Sequence, residues 1–186
     1  MNQHYTPTSR FTNTNGLYGN HFRFTLQALP DLTYFAQSVQ VPALTIPTTK
    51  RGTPFTQIAE VGDHIQYGPI TVSYQIDAQF KTYQSLYWWL KGYGFPHSYD
   101  EVRDFRELRA KNLPQPRAMA KDIEKTTAVL HILQPDTEKP LVEFVFTDVF
   151  PTSLSELQFT TTADDATQLF TIATFEFTEF ELVVPS

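Results

Sequence analysis

The sequence predicts a mainly β protein with one short helix lying across a sheet. Sixteen Phe, nine Tyr and two Trp stand against only two Met, which is typical of a core built from sheets. Within residues 70–92 the spacing of apolar residues changes from two to about 3.6, as it does where a strand leads into a helix. With 186 residues, the chain is long enough to bury the core of one domain.

The first part of that stretch is predicted to be a strand with one face packed and one face wet. Apolar and polar side chains alternate along it with a period of two, which is the spacing of a half-buried strand. The apolar members are Ile70, Val72, Tyr74 and Ile76, and the polar members are Thr71, Ser73 and Gln75.

The second part is predicted to be an amphipathic helix. Its apolar residues recur at intervals of three and four and form one stripe. They are Phe80, Tyr83, Leu86, Tyr87 and Leu90. Asp77 lies just upstream, where a carboxylate can accept hydrogen bonds from free N–H groups. Gly92 and Gly94 follow the last apolar turn, where a left-handed helix stop costs little.

The remaining chain is predicted to form one β domain with an N-terminal arm. Residues 1–20 have almost no aliphatic side chains and are expected to form a flexible arm, and residues 21–186 are expected to form the domain. Strands are predicted at residues 22–26 and about 33–41, in a hairpin of residues 126–134 and 141–150, and over residues 169–184. A shift of apolar phase in the last segment indicates a bulge or two covered faces.

Two further segments are predicted to project from the domain. Residues 42–69 are interrupted by Pro and Gly, so they form either a long hairpin with irregular edges or an extended loop. Their apolar residues pack either on a neighbouring subunit or within the same chain. These residues are Leu44, Ile46, Phe55 and Ile58. Residues 95–124, the most charged part of the chain, are expected to form an exposed insertion.

Composition argues against several classes of function. A formal net charge of −6 disfavours tight nucleic-acid binding, which needs clustered Lys and Arg. The absence of cysteine removes disulfides, thiolate metal sites and Cys nucleophiles. The polar N-terminus lacks an apolar run of roughly 18 residues, so we expect neither a signal peptide nor a membrane span, and a protein used in soluble form.

No catalytic or metal-binding pattern is evident. The five histidines lack the close spacing that places two imidazoles on one metal, and neither a nucleophile elbow nor a phosphate-cradling glycine pattern occurs. We therefore expect no enzyme activity, no metal and no cofactor. A catalytic role for His64, Asp77 or Asp148 ranks third among the hypotheses.

The aromatic residues of the predicted helix support a hypothesis of another class. Trp88 and Trp89, together with neighbouring Tyr residues, would suit a stacking platform for sugars or bases. At helical spacing, however, aromatic residues are more often core or subunit contacts. A carbohydrate-binding β-sandwich module is therefore the second hypothesis.

Three runs of the sequence together resemble the tail-tube-type proteins of contractile-tailed bacteriophages. They are ALPDLTYFAQSVQVPAL, TPFTQIAEVGDHIQYGPITVSYQIDAQFKTYQSLYWWLKGYGFP and FTDVFPTSLSELQFTTTADDATQLFTIATFEFTEFEL. The matching features are Leu-Pro and Val-Pro on either side of the second strand, V-G-D at residues 61–63, the helix with Trp89, and Phe-Pro followed by S-E-L at residues 155–157.

This resemblance implies both a fold and a function. The fold would be an antiparallel β-sandwich or barrel with one flanking helix, and six copies would close into a ring around a lumen that passes DNA without specific binding. The protein would lie in the virion tail, after assembly in the host cytoplasm, in contact with tail tube and baseplate hub proteins. Thr71, Ser73 and Gln75 would line the lumen or meet outer protein instead.

The resemblance extends to two roles within that group. The helix ending Y-W-W-L-K-G-Y-G-F-P, with T-P-F before V-G-D, is more similar to tube-initiator proteins of the baseplate hub than to the main tail tube subunit. Initiators often carry an extra domain, for which 186 residues leave no room. We expect a tube initiator, with the main tube subunit as the alternative.

Overall fold

The computed structural model describes residues 16–94, 100, 103, 125–135, 137, 139–161 and 168–184. Most of the predicted N-terminal arm and of the predicted insertion lies outside these residues, so both stay predictions. The described residues form antiparallel strands, a 3₁₀ helix at Pro30–Phe35 and the helix α1 at Lys81–Gly94. The strands are β1 (Phe22–Leu26), β2 (Ala36–Gln40), β3 (Leu44–Thr45), β4 (Thr48–Gly52), β5 (Gln57–Val61), β6 (Gln66–Tyr67), β7 (Ile70–Gln75), β8 (Thr126–Leu133), β9 (Pro140–Leu154), β10 (Phe170–Glu176) and β11 (Glu179–Val183).

Two sheets share the long strand β9. The strand order is β1-β8-β9-β10-β7-β2, and β11 also pairs with β9. The N-terminal part of β9 pairs with β8 and β11 in the first sheet, and its C-terminal part pairs with β10 in the second. Every pairing is antiparallel. The predicted mainly β, antiparallel fold is therefore confirmed.

The turn of β9 from one sheet to the other occurs at Asp148. This residue has a φ of 59°, which lies in the left-handed region that Asp tolerates better than most residues. Its Oδ2 accepts hydrogen bonds from Lys125 Nζ at 3.3 Å and Thr178 Oγ1 at 3.2 Å. The pairing of β8 with β9 is irregular at the same point, between Thr126 and Ala128. These contacts fix the direction in which β9 enters the second sheet.

One apolar core joins the two sheets and α1. Its largest side chains come from five different elements, and each is at most 2% exposed. They are Phe24, Tyr74, Trp89, Phe146 and Phe175. The Trp89 ring lies 6.0 Å from that of Phe175. Burying each large apolar side chain contributes roughly 1.5–3 kcal/mol, which secures α1 against the sheets.

The strand predictions are largely confirmed. Ile70, Val72 and Tyr74 are fully buried and alternate with half-buried polar residues in β7. The predicted hairpin is β8 with β9. The last segment forms two strands, β10 and β11, and the predicted bulge occurs between Thr174 and Phe175. The predicted second strand is shorter, because the first residues after Pro30 form the 3₁₀ helix that buries Leu32.

The helix prediction is correct in place but wrong in face and in ending. The buried residues of α1 are Thr82, Leu86, Trp89 and Gly92. Tyr83 and Tyr87 instead stack on each other, with ring centroids 6.5 Å apart, and Tyr87 is exposed. The helix continues through Gly92 to Gly94, and no described glycine has a positive φ. The fold turns the face with Leu86 and Trp89 toward the core instead of the predicted stripe.

We expect the bend in β9 to be sensitive to backbone conformation at Asp148. Asp148→Val should lower the free energy of unfolding by about 2–3 kcal/mol, because a β-branched residue is strained at positive φ and the two hydrogen bonds are lost. The control Asp148→Asn keeps an acceptor and tolerates this region, so it should change stability by less than about 1 kcal/mol. Urea unfolding measures both, and equal destabilisation would contradict the prediction.

Candidate subunit interface

A long hairpin, residues 43–68, projects from the domain in two steps. β3 pairs with β6 near the body, and β4 pairs with β5 farther out. Between the two pairs the Gly62 N–H donates to the Pro47 carbonyl oxygen at 2.8 Å. A Cβ at Gly62 would lie 2.4 Å from that oxygen, so only glycine permits this approach. The predicted hairpin with irregular edges is therefore present, and the V-G-D motif has a steric reason.

The base of the hairpin is tied to the core. The Tyr67 ring lies 5.6 Å from the ring of Phe177 and 5.5 Å from that of Phe180. The Gly68 N–H donates to the Ala43 carbonyl oxygen at 2.9 Å. The outer pair has no such anchor, since β4 and β5 are exposed along their whole length. The hairpin is therefore fixed at one end and presented to solvent at the other.

The predicted contact residues are all exposed on this hairpin. Leu44, Ile46 and Ile58 are about half exposed, and Phe55 at the tip is 99% exposed. None of them is buried within the described part of its own chain. Large apolar side chains gathered on one projecting element are typical of an interaction surface.

A charge-free surface, here called the neutral face, covers the outer side of the second sheet. The predicted residues Thr71, Ser73 and Gln75 lie there on β7 and are half buried. Their partners on β10 are Thr174, Ile172 and Phe170. Gln37 Nε2 donates to Gln75 Oε1 at 3.2 Å. Residues 36–40, 70–75, 150–154 and 170–175 contain no charged side chain, so the second sheet is neutral up to Glu176.

A groove, here called the α1 groove, lies between the 3₁₀ helix and the N-terminal half of α1. Its volume is about 940 Å³. Leu29, Leu32 and Phe35 supply apolar lining, and Tyr34 and Trp88 are exposed aromatic residues beside it. Its charged lining residues are Asp31, Asp77 and Lys81. The sequence did not predict this groove, because the groove depends on the 3₁₀ helix and no periodic pattern in the sequence indicates that helix.

The wall of this groove is set by the cap of α1. Asp77 Oδ1 accepts a hydrogen bond from the Thr82 N–H at 2.7 Å, and Oδ2 accepts one from the Gln79 N–H at 3.2 Å. Desolvation raises the pKa of Asp77, but the hydrogen bonds from Thr82, Lys81 and Gln79 outweigh it and hold that pKa below its usual value. The predicted capping role of Asp77 is confirmed.

The three residues of the catalytic hypothesis lie in separate parts of the structure. Asp77 caps α1, Asp148 holds the bend of β9, and His64 is exposed on the long hairpin. Among the described residues there is no group of three or more His, Asp or Glu side chains that could hold a metal ion. None of the helices in the described part of the chain is long and apolar enough to cross a membrane.

Trp88 and Trp89 do not together form the stacking platform that the carbohydrate-binding hypothesis requires. Trp89 is 2% exposed and belongs to the core, whereas Trp88 is 53% exposed. Lys91 Nζ lies 5.0 Å from the centroid of the Trp88 ring, a cation–π distance. Only one of the two Trp rings is therefore available at the surface.

Comparison with known proteins shows the fold. No protein-family model matches the chain, and no curated protein matches its sequence. A chain of the sheath–tube complex of an extracellular contractile injection system (PVC), in the extended state, matches with a TM-score of 0.57 at 14% identity, over 97% of this chain and 100% of that one.

Two further structures match equally well. A chain of the anti-feeding prophage cap, described as the tube terminating cap, has a TM-score of 0.57 at 14% identity, over 96% and 98% of the two chains. A chain of the anti-feeding prophage baseplate, 6-fold symmetrised, has a TM-score of 0.57 at 9% identity, over 92% and 98%. The described part of the chain therefore has the tail-tube-type fold that the sequence predicts.

We expect the cap of α1 to make stability depend on pH. A folded pKa below the unfolded value stabilises the fold above the unfolded pKa of about 3.9, and this contribution is lost as pH falls through the folded pKa. Asp77→Ala should cost about 1 kcal/mol of unfolding free energy at pH 7 and less at pH 2.5. Urea unfolding of wild type, Asp77→Ala and Asp77→Asn at both pH values tests this. A cost independent of pH would contradict it.

Proposed function

We propose that this chain is a non-enzymatic, ring-forming subunit of a contractile tail, and most specifically a tube-initiator protein that joins the baseplate hub to the tail tube. The main tube subunit is the alternative within the same class. The single most important observation is the projecting hairpin, whose apolar side chains have no cover within the described part of their own chain. The likeness in fold to chains of sheath–tube, cap and baseplate assemblies supports the same class.

The edges of the second sheet support ring closure. β2 is its last strand on one side, and on the other side residues 150–154 of β9 pair only with β10 among the described residues. Pro151 lies in that part of β9, and Pro is tolerated in a sheet mainly on edge strands. Exposed edges invite pairing with another chain.

The directions of these two edges suit a closed ring. β2, β7, β10 and β9 alternate in direction, so β2 and β9 run in opposite directions. A copy related by rotation about an axis along the strands would therefore place its β9 antiparallel to β2 of the first copy. Repetition of this heterologous contact closes a ring and removes the free edges of the second sheet. We propose six copies, in a virion tail assembled in the host cytoplasm.

Ring closure of this kind would place the neutral face, with Thr71, Ser73 and Gln75, around the lumen. That face has no Lys or Arg to bind phosphates, so DNA would pass without specific binding. The net charge of −6 does not itself repel DNA from this face. The acidic residues lie outside the strand segments that form it, which are residues 36–40, 70–75, 150–154 and 170–175. This surface consists of uncharged amide, hydroxyl and apolar side chains, since Phe170 and Ile172 lie on it beside Gln75 and Ser73.

Assembly of the purified protein tests the proposed function. We expect wild type, alone or with tail components, to form rings visible by electron microscopy and light scattering. A variant in which residues 48–61 are replaced by Asn-Gly should keep its fold, because β4 and β5 are exposed along their length, but should fail to assemble. A wild type that stays monomeric with tail components, or a variant that assembles equally well, would contradict the proposal.

The neutral lumen gives a second prediction. Assembled wild-type rings should not retain duplex DNA even at a low salt concentration of about 50 mM, where electrostatic binding to phosphates is strong. Ser73→Lys rings should retain it, and retention should fall steeply with salt because each phosphate contact releases counterions. Gln134→Lys, on an exposed turn, is the matched control. If both Lys variants behave alike in a filter-retention assay, the neutral face does not line the lumen.

A further inference from the structure

We propose that Phe55, at the tip of the long hairpin, seats in the α1 groove of a second copy of this chain. The inference rests on the proposed ring-forming function and names the surface that receives the hairpin. The hairpin tip is exposed and the groove is open, so one repeated contact between copies would cover the apolar surface of both.

The tip of the hairpin is held in one shape. The Thr53 N–H donates to the Thr56 carbonyl oxygen at 2.8 Å, and Thr53 Oγ1 donates to the same oxygen at 2.6 Å. The Thr56 N–H in turn donates to Thr53 Oγ1 at 3.1 Å. Phe55 lies inside this closed turn and is almost fully exposed. A pre-organised aromatic side chain loses little conformational freedom on binding, which favours association.

The α1 groove has the right lining for an aromatic side chain. Leu29, Leu32 and Phe35 supply apolar surface, with Tyr34 and Trp88 exposed beside them. A volume of about 940 Å³ accepts the Phe55 ring together with the flanking turn. Anchors of this type, an aromatic ring in a desolvated pocket, dominate the binding energy of protein interfaces.

Charges on the hairpin and at the groove are complementary. In the outer part of the hairpin, residues 48–61, Arg51 Nη1 lies 3.6 Å from Glu60 Oε1, which leaves Lys50 as a net positive charge near the tip. Asp63 balances this charge only nearer the base. At the groove both oxygens of Asp77 accept hydrogen bonds from the start of α1. Asp31 is exposed at the same groove. An Asp31 that faces Lys50 of the incoming copy would set the direction of docking.

The receiving groove belongs to another copy because Phe55 is 99% exposed in its own. A hairpin that leaves one copy and enters a groove elsewhere on the next makes a heterologous contact. The proposed pairing of β2 with β9 is heterologous as well. The same rotation between neighbours, or one step between stacked rings, would repeat the hairpin contact from copy to copy.

Cross-linking tests this placement directly, since the chain contains no cysteine. Pro54→Cys protein, which keeps the Phe55 ring, is mixed with Gln84→Cys protein, whose new thiol lies at the exposed groove wall, and a short bismaleimide is added. We expect a cross-linked dimer only in the mixture. Pro54→Cys mixed with Gln134→Cys, which lies on an exposed turn away from the groove lining, is the control.

A charge exchange provides a second measurement. Lys50→Asp and Asp31→Lys should each weaken assembly, by up to about fivefold as for exposed ion pairs, and the double variant should restore it. Phe55→Ser should weaken assembly at least tenfold, and Phe55→Leu should recover most of the loss.

Electron microscopy of the same mixtures separates the two proposals. Rings that form without the cross-link between positions 54 and 84, or with equal cross-linking at Gln134, overturn the groove assignment and leave the ring-forming function standing. Failure of wild type to form rings with tail components overturns both. If the cross-link forms but the losses of the two single charge variants add in the double variant, Lys50 does not pair with Asp31.

Discussion

The bend of β9 at Asp148 is the constraint on which the rest of the structure depends. A strand of 15 residues would ordinarily continue within one sheet, but a left-handed residue near its middle redirects it. The first half then pairs with β8 and β11, and the second half pairs with β10. Both sheets are covalently joined through this strand, and the core fills the space that the bend creates.

The same bend determines which surfaces remain uncovered. Since β9 leaves the first sheet after Val149, its C-terminal residues have β10 on one side and no described strand on the other. The long hairpin leaves the body near β7, where Tyr67 packs on Phe177 and Phe180. An isolated two-stranded ribbon is only marginally stable in water. Contact with another copy would therefore stabilise the ribbon as well as cover its apolar residues.

Much of the fold was predictable from the sequence because its signals are local. Alternation identified β1 and β7, and the Pro- and Asp-containing turn of residues 135–140 indicated the hairpin of β8 and β9. The shift of apolar phase after Ile172 indicated the bulge. The face of α1 was predicted wrongly, because the stripe that includes Tyr83 and Tyr87 has suitable spacing but lies largely away from the core. Which ring enters the core depends on Phe175, a residue distant in sequence. Periodicity within one element cannot reveal such a contact.

The candidate surfaces divide in the same way. Leu44, Ile46, Phe55 and Ile58 were recognisable as apolar residues between Pro and Gly, where a compact core is hard to build. The α1 groove was not recognisable, because it exists only where the 3₁₀ helix meets the start of α1. Gly62 became interpretable only when the Pro47 carbonyl was placed beside it. Features that join distant segments need the tertiary structure.

The two sheets differ in charge, and that difference bears on how copies would meet. Glu143 on β9 and Glu179 and Glu181 on β11 belong to the first sheet, where Glu143 lies 3.1 Å from His131 Nδ1. The second sheet has no charged residue in β2, in β7 or in residues 150–154 of β9. Like charges opposite each other across a strand pair are destabilising. A sheet that continues from one copy into the next would repeat the same pairing of β2 with β9 at every contact, so neutral edges avoid a like-charge repulsion that would otherwise recur around the ring.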